Sequence, residues 1–164
     1  MAASETLLSS LILKGSSELV TMLVKAYAKR IAESNIENVS KLKSNIIPHI
    51  DATFNKCKTI KTLLNPQTPA DFLAIYATQR FQAQNRLFDH YGMVDYVRNK
   101  ANNIIIAGSG GSGKSMFTRY LWLSLFVHSD GKIPLFIELR NINNINTGNN
   151  LNESLLSYIH ASIS

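Results

Sequence analysis

The sequence has few of the residues that mark secreted or membrane proteins. It contains one cysteine, Cys57, so it cannot form an internal disulfide, and a lone thiol is ordinary in a reducing compartment. No apolar stretch approaches the roughly 20 residues that span a bilayer, because charges such as Lys14, Lys25 and Arg119 interrupt the most hydrophobic regions. The first ten residues carry Glu5 and no basic residue, which is not the pattern of a secretory signal. We therefore expect a cytoplasmic protein without a membrane span.

The chain also lacks any long block of like charge. Its net charge is +6, but basic residues are spread along the chain among the acids. Short basic groups such as Lys56, Lys58 and Lys61 fit the solvent face of a helix, so this distribution disfavours nucleic-acid binding. The four histidines are widely scattered and lack the spacing of zinc ligands. The hydrophobic content of 45% is enough for a packed core in one ordinary domain or two small ones.

The first 64 residues show the periodicity of amphipathic helices, with apolar residues returning every three or four positions. Pro48 predicts a kink or a break near Ile47. The segment "LLNPQTPADF" has two prolines within four residues, which predicts a linker. We therefore expect a helical N-terminal module over residues 1–64. Residues 65–92 are expected to be a linker and a connecting helix, with the helix running from Ala70 to Arg86.

From residue 93 onward the pattern changes to that of an α/β protein. A short amphipathic segment, Met93–Lys100, leads into three consecutive isoleucines in "NNIIIAG", which are typical of a parallel strand covered on both faces. The segment "KSMFTRYLWLSLFVHSD" is apolar nearly all round and predicts a buried helix that Gly131 can end. "IPLFIELR", with Pro134 near its start, predicts a second strand, and a last helix follows an asparagine-rich loop. The predicted fold class is thus a strand–loop–helix–strand–helix α/β unit preceded by an all-α region.

The stretch "GSGGSGKS" lies between the first predicted strand and the buried helix. It fits the Walker A or P-loop signature, a glycine, four residues, then Gly-Lys-Ser. Glycines let successive N–H groups point at phosphate oxygens, and the helix that follows adds its positive N-terminal end. A glycine–serine linker could have this composition, but it needs neither a lysine at a fixed place nor a strand and a helix on its two sides. The candidate nucleotide-binding residues are Gly108, Ser109, Gly110, Gly111, Ser112, Gly113, Lys114 and Ser115.

Two of these residues have individual roles in the predicted site. Lys114 would reach the β and γ phosphates as a mobile point charge. The hydroxyl of Ser115 would hold a Mg²⁺ ion that bridges the same phosphates, which makes Ser115 the candidate metal residue.

Hydrolysis of the nucleotide requires further residues, above all an acid at the end of another buried strand. Glu138, in "IPLFIELR", is the acid in that position. It could serve as a metal or base residue, as in small P-loop kinases, or it could be a charge with a structural role at the tip of a strand. We assign no catalytic residue from the sequence, and expect ATPase activity only of a longer chain.

The region from about residue 93 to residue 164 resembles the opening of a NACHT domain, the signalling NTPase module of the STAND class. The resemblance rests on the glycines around Lys114 and Ser115, the aromatic and leucine-rich helix, and the proline-containing second strand that ends in Glu138 and Arg140. It implies ATP with Mg²⁺ as ligands and a role in signalling, such as antiphage (antiviral) defence in bacteria or innate immunity in animals. The acidic Walker B strand of that family would lie beyond Ser164, so we expect residues 93–164 to be the front part of a longer NTPase domain.

Two other functions remain open at this point. The chain could be a catalytically inactive fragment whose helical N-terminal region is a protein-interaction module, with protein partners or self-association. It could also be a small P-loop kinase, which would require Glu138 to act and a phosphate-clamping lid that the sequence does not show.

Overall fold

The computed structural model describes residues 48–64, 66–83, 85–100, 103–128, 132 and 134–138. The predicted N-terminal helices before residue 48, the break near Ile47, the asparagine-rich loop and the last helix lie outside the described residues. A helix, α1, occupies residues 48–58. The other elements follow in the order β1 (Thr59–Ile60), β2 (Ala70–Asp71), α2 (Phe72–Ile75), β3 (Arg80–Ala83), β4 (Arg86–Asp89), α3 (His90–Lys100) and α4 (Lys114–Val127).

One hydrophobic core joins α1 to the helices that follow it in the chain. The ring of Phe54 in α1 lies 5.7 Å from that of Phe126 in α4, and both side chains are buried. The core also contains aliphatic and aromatic residues from α2 and α3. The loop with the two prolines runs from β1 to β2, which pair antiparallel. Among the described residues, this loop therefore connects two parts of one core, while the predicted domain boundaries stay predictions.

The prediction of a continuous helix from Ala70 to Arg86 is wrong. Helix α2 has four residues. Asp71 caps its N-terminus, because the Asp71 carboxylate accepts a hydrogen bond from the Leu73 N–H at 3.0 Å. After it, β3 and β4 form an antiparallel hairpin in which Phe81 faces Phe88. The side chains of β3 alternate between exposed and half-buried, a period of two that favours a strand. Asn85 takes the left-handed conformation at the turn, with φ of 62°, which asparagine tolerates well.

The helix predicted directly after the glycine-rich loop is confirmed, and the amphipathic segment Met93–Lys100 lies within a second helix, α3. Helix α3 begins at His90, where the Asp89 carboxylate accepts a hydrogen bond from the Gly92 N–H at 2.7 Å. Helix α4 begins at Lys114, directly after the loop, and ends at Val127, before Gly131. Its buried residues include Phe117, Tyr120, Trp122, Leu123 and Phe126, as its apolar sequence predicts.

The parallel sheet stays a prediction. Residues 103–109 and 134–138 have no regular secondary structure, and the two sheets among the described residues are antiparallel pairs. Ile104 and Ile106 are half-buried against the core, but Ile105 is 94% exposed, so the prediction that all three isoleucines are covered is wrong for Ile105. One face of the segment packs on the core, and covering the other face would need a layer that the described residues do not supply. Within the described part of the chain, no helix is long and apolar enough to cross a membrane.

Candidate functional site

The loop from Gly108 to Gly113 has a backbone that depends on glycine at two positions. Gly111 and Gly113 have φ angles of 77° and 83°, in the left-handed region that other residues rarely adopt. Between them, the Ser112 N–H donates to the Ser109 carbonyl at 3.3 Å. Gly110 differs from both, because its φ is not positive and a β-carbon there would meet nothing within 4 Å. The structure therefore requires glycine at 111 and 113 and leaves position 110 free.

Gly108, the first residue of the signature, is glycine for a steric reason. A β-carbon at Gly108 would lie 2.8 Å from the Ser112 hydroxyl oxygen, closer than real β-carbons approach other atoms. Glycine at position 108 therefore leaves room for the Ser112 hydroxyl, which would have to rotate away from a side chain there.

Helix α4 begins without a side-chain cap. Its N-cap is Gly113, which has no side chain to accept a hydrogen bond, and the first turn contains no acidic residue. The first helical hydrogen bond runs from the Phe117 N–H to the Gly113 carbonyl at 2.9 Å. The N–H groups of Lys114, Ser115 and Met116 have no acceptor within the helix. Together with the helix dipole, worth about half a unit charge, these donors form a place for an anion.

The ammonium group of Lys114 lies across this loop. It donates to the carbonyl oxygens of Gly108 and Ser109, both at 2.7 Å, and lies 3.4 Å from the Ser112 hydroxyl oxygen. An ammonium has three hydrogens and no acceptor, so these contacts use its whole capacity. The positive charge of Lys114 is thereby held at the loop that precedes α4.

Ser115 is exposed in the first turn of α4, where its hydroxyl is accessible. Mg²⁺ prefers oxygen ligands and commonly keeps several waters while binding to substrate phosphates. A serine hydroxyl next to a phosphate site fits that preference. Among the described residues, no group of three or more His, Cys, Asp or Glu could hold a metal by itself.

One residue that contacts the loop was not found from the sequence. The side-chain amide of Gln79, between α2 and β3, donates to the Gly113 carbonyl at 3.0 Å. The same amide fills the space where a β-carbon at Gly113 would lie. Gln79 and Gly113 are 34 residues apart, and no motif marks Gln79, so only the fold brings them together.

Glu138, the acid proposed for catalysis, forms an ion pair on a different part of the fold. Its carboxylate lies 2.9 Å from the ammonium of Lys56 in α1. The Lys56 ammonium also lies 5.9 Å from the centre of the Phe136 ring. Glu138 is thus paired with a helix that precedes the loop in the chain, and the assignment of the eight loop residues as a site stays a prediction.

Cys57 is buried beside this ion pair. Burial raises the pKa of its thiol to about 11, against the opposing influence of the Arg119 and Lys56 charges. Arg119, in the second turn of α4, donates to the Thr59 carbonyl at 3.2 Å. The thiol is therefore neutral near pH 7 and has little thiolate character for chemistry.

A scan of the chain against protein-family models gave no match, and searches of curated proteins and of solved structures gave none either.

Proposed function

We propose that the loop from Gly108 to Ser115 binds the phosphates of a nucleoside triphosphate together with Mg²⁺. The observation that carries the proposal is the start of α4, where a glycine N-cap leaves three N–H groups without a side-chain acceptor. The Lys114 ammonium lies on the same loop and supplies the positive charge that a triphosphate needs. The missing cap has no evident structural purpose, because an ordinary helix is more stable with a capping side chain.

Four residues of the loop have individual tasks in the proposed complex. Gly111 and Gly113 provide the left-handed backbone, and the N–H groups that open α4 donate to phosphate oxygens. Lys114 turns at least one N–H from the loop carbonyls to the β or γ phosphate. Ser115 contributes a hydroxyl ligand to Mg²⁺, which neutralises part of the phosphate charge when it is bound.

ATP is the nucleotide that the resemblance to NACHT domains favours. The same resemblance suggests a cytoplasmic switch of the STAND class, in which residues 93–164 are the front part of the NTPase domain and signalling involves protein partners or self-association. Hydrolysis would depend on a Walker B acid, which no described residue provides in a comparable position.

A small P-loop kinase is the weaker alternative. It requires the Glu138 carboxylate to bind metal or accept a proton near the phosphates. The ion pair with Lys56 at 2.9 Å favours a structural role for this carboxylate instead. A kinase would have to break that ion pair in every catalytic cycle.

The proposal is tested by titrating the 164-residue chain with a fluorescent ATP analogue in the presence of Mg²⁺. We expect saturable binding that Lys114→Ala weakens by at least about tenfold, since one charged hydrogen bond is worth about 1.5–3 kcal/mol. Lys61→Ala removes an exposed lysine outside the loop and is the matched control. Binding of equal strength in wild type and Lys114→Ala would contradict the proposal. Phosphotransfer activity lost in Glu138→Gln would favour the kinase.

A further inference from the structure

Two side chains hold the loop in shape, and they do so from different directions. Lys114 does so from within the loop, through the carbonyls of Gly108 and Ser109. Gln79 does so from outside, through the carbonyl of Gly113. A phosphate that binds to the loop competes with the contacts of Lys114 but does not compete with the contact of Gln79.

The contacts of Lys114 compete with a phosphate. Its three donors point at two carbonyl oxygens and the Ser112 hydroxyl, the last at 3.4 Å. A phosphate oxygen needs at least one of these donors, so at least one contact within the loop is given up. Binding of a phosphate therefore removes part of the hydrogen bonding within the loop, although the bound phosphate requires the loop to keep its geometry.

The contact of Gln79 does not compete with a phosphate. The Gly113 carbonyl accepts the helical hydrogen bond from the Phe117 N–H, so it points along α4 toward the C-terminus. The free N–H groups of the first turn point the opposite way. A carbonyl has two lone pairs, so the Gln79 amide and the Phe117 N–H can both be accepted while the donors opposite bind an anion.

We infer that Gln79 is a positioning residue for the bound phosphates, because its amide keeps Gly113 in the left-handed conformation after Lys114 has turned toward the ligand. This inference rests on the proposed function. Gln79 touches no phosphate itself. It acts through the Gly113 carbonyl, which fixes the direction of the N–H groups that do.

The test compares two substitutions that remove a glutamine amide while keeping the side-chain length. Gln79→Met removes the donor to Gly113. Gln82→Met, in β3, changes an exposed glutamine of the same hairpin and is the matched control. We expect Gln79→Met to weaken binding of Mg-ATP by about tenfold, the usual effect of losing one hydrogen bond. Gln82→Met should change it by less than about twofold.

Inorganic pyrophosphate with Mg²⁺ separates positioning of the phosphates from an effect on the base. Gln79→Met should weaken pyrophosphate and ATP by the same factor, because the inference concerns the phosphate loop alone. Gln79→Glu should weaken both further, since a carboxylate cannot donate to Gly113 and repels the ligand. That additional loss should shrink as salt is raised, a dependence that a packing defect would not produce.

Three results would overturn the inference. Equal affinities in Gln79→Met and Gln82→Met, with a wild-type chain that binds Mg-ATP, would remove Gln79 from the site and leave the proposed function intact. Wild-type binding no stronger than that of Lys114→Ala would remove the proposed function and the inference with it. If Gln79→Met does not fold, the wild-type side-chain amide signals in NMR decide, because the inference requires the Gln79 amide to stay protected from exchange with ATP bound. Loss of that protection would overturn it.

Discussion

The first turn of α4 and the rest of the same helix obey different rules. The first turn begins with the half-buried Lys114 and the exposed Ser115, has no side-chain cap, and follows a loop with two left-handed glycines. The remainder is buried on several sides, with Trp122 stacked on Phe126 at a ring distance of 4.9 Å. One helix thus presents a set of unused donors at its start and fills the core with its later turns.

The difference separates the proposed binding site from the stabilising core along one element. Burial of large aromatic side chains is what stabilises a domain of this size, and it is concentrated after Met116. The loop adds little burial, and its glycines lose more conformational entropy on folding than other residues. Substitutions in the two regions should therefore have distinct effects, and four predictions examine that separation.

The largest effect on stability is expected from Phe126→Ala. Phe126 is 1% exposed and contacts both Trp122 and Phe54, so its loss leaves a cavity between α4 and α1. We expect the free energy of unfolding to fall by about 3–5 kcal/mol, measured by urea denaturation. The fraction that remains folded at low temperature should still bind Mg-ATP. A stable Phe126→Ala chain that loses nucleotide affinity would break the separation.

Gly113→Ala should affect both regions, with a smaller cost in stability and a large loss of binding. The new methyl group would meet a left-handed φ of 83° and the Gln79 amide. We expect about 1–3 kcal/mol of destabilisation and at least tenfold weaker Mg-ATP binding. Gly110→Ala, where a β-carbon meets nothing, should cost far less in both measurements. Equal effects at positions 110 and 113 would contradict the backbone geometry of the loop.

The Cys57 thiol should make the free energy of unfolding sensitive to alkaline pH. Its pKa is raised from 9.0 to about 11 by burial, so between these values the unfolded chain releases a proton that the folded chain keeps. Stability contributed by the neutral thiol is therefore fully present below pH 9 and is lost as the pH rises toward 11. The urea midpoint should fall over this range, and less so in Cys57→Ala. Identical pH profiles in the two chains would disprove this role.

The smallest effect is expected from Glu138→Gln. The side chains of Glu138 and Lys56 are 22% and 43% exposed, so solvent screens their ion pair. We expect about 0.5 kcal/mol or less in the free energy of unfolding, which should shrink further at high salt. Binding of Mg-ATP should not change, because this ion pair joins Glu138 to α1. A marked loss of affinity in Glu138→Gln would place the carboxylate in the site after all.

The parts of the fold that were predicted from the sequence are those specified locally. The signature from Gly108 to Ser115 occupies eight consecutive residues, and its geometry follows from positive φ angles at two glycines and the start of a helix. Helix α4 was predicted because a long apolar run after such a loop has few alternatives. Gly110 does not share the positive φ of Gly111 and Gly113, and composition alone does not show which glycine needs a left-handed backbone.

The errors have a physical cause in contacts between distant residues. Residues 70–86 contain enough apolar side chains for a helix. However, Phe81 pairs with Phe88 across the hairpin, and the centre of its ring lies 4.2 Å from that of Phe117. Local propensity competes with such tertiary contacts and loses. Glu138 pairs with Lys56, and Gly113 accepts a hydrogen bond from Gln79. Both partners lie far away in the chain, and no local pattern in the sequence predicts either contact.

Trp122 gives this molecule a built-in optical reporter. It is the one tryptophan in the chain, its indole N–H donates to the Pro134 carbonyl at 2.9 Å, and its ring is buried in the core, on the helix that follows the glycine-rich loop. Eight residues along a helix from Lys114 correspond to about 12 Å, close enough for a bound fluorescent nucleotide to quench its emission by energy transfer. Folding of the core and occupancy of the loop can thus be read from one unlabelled chromophore.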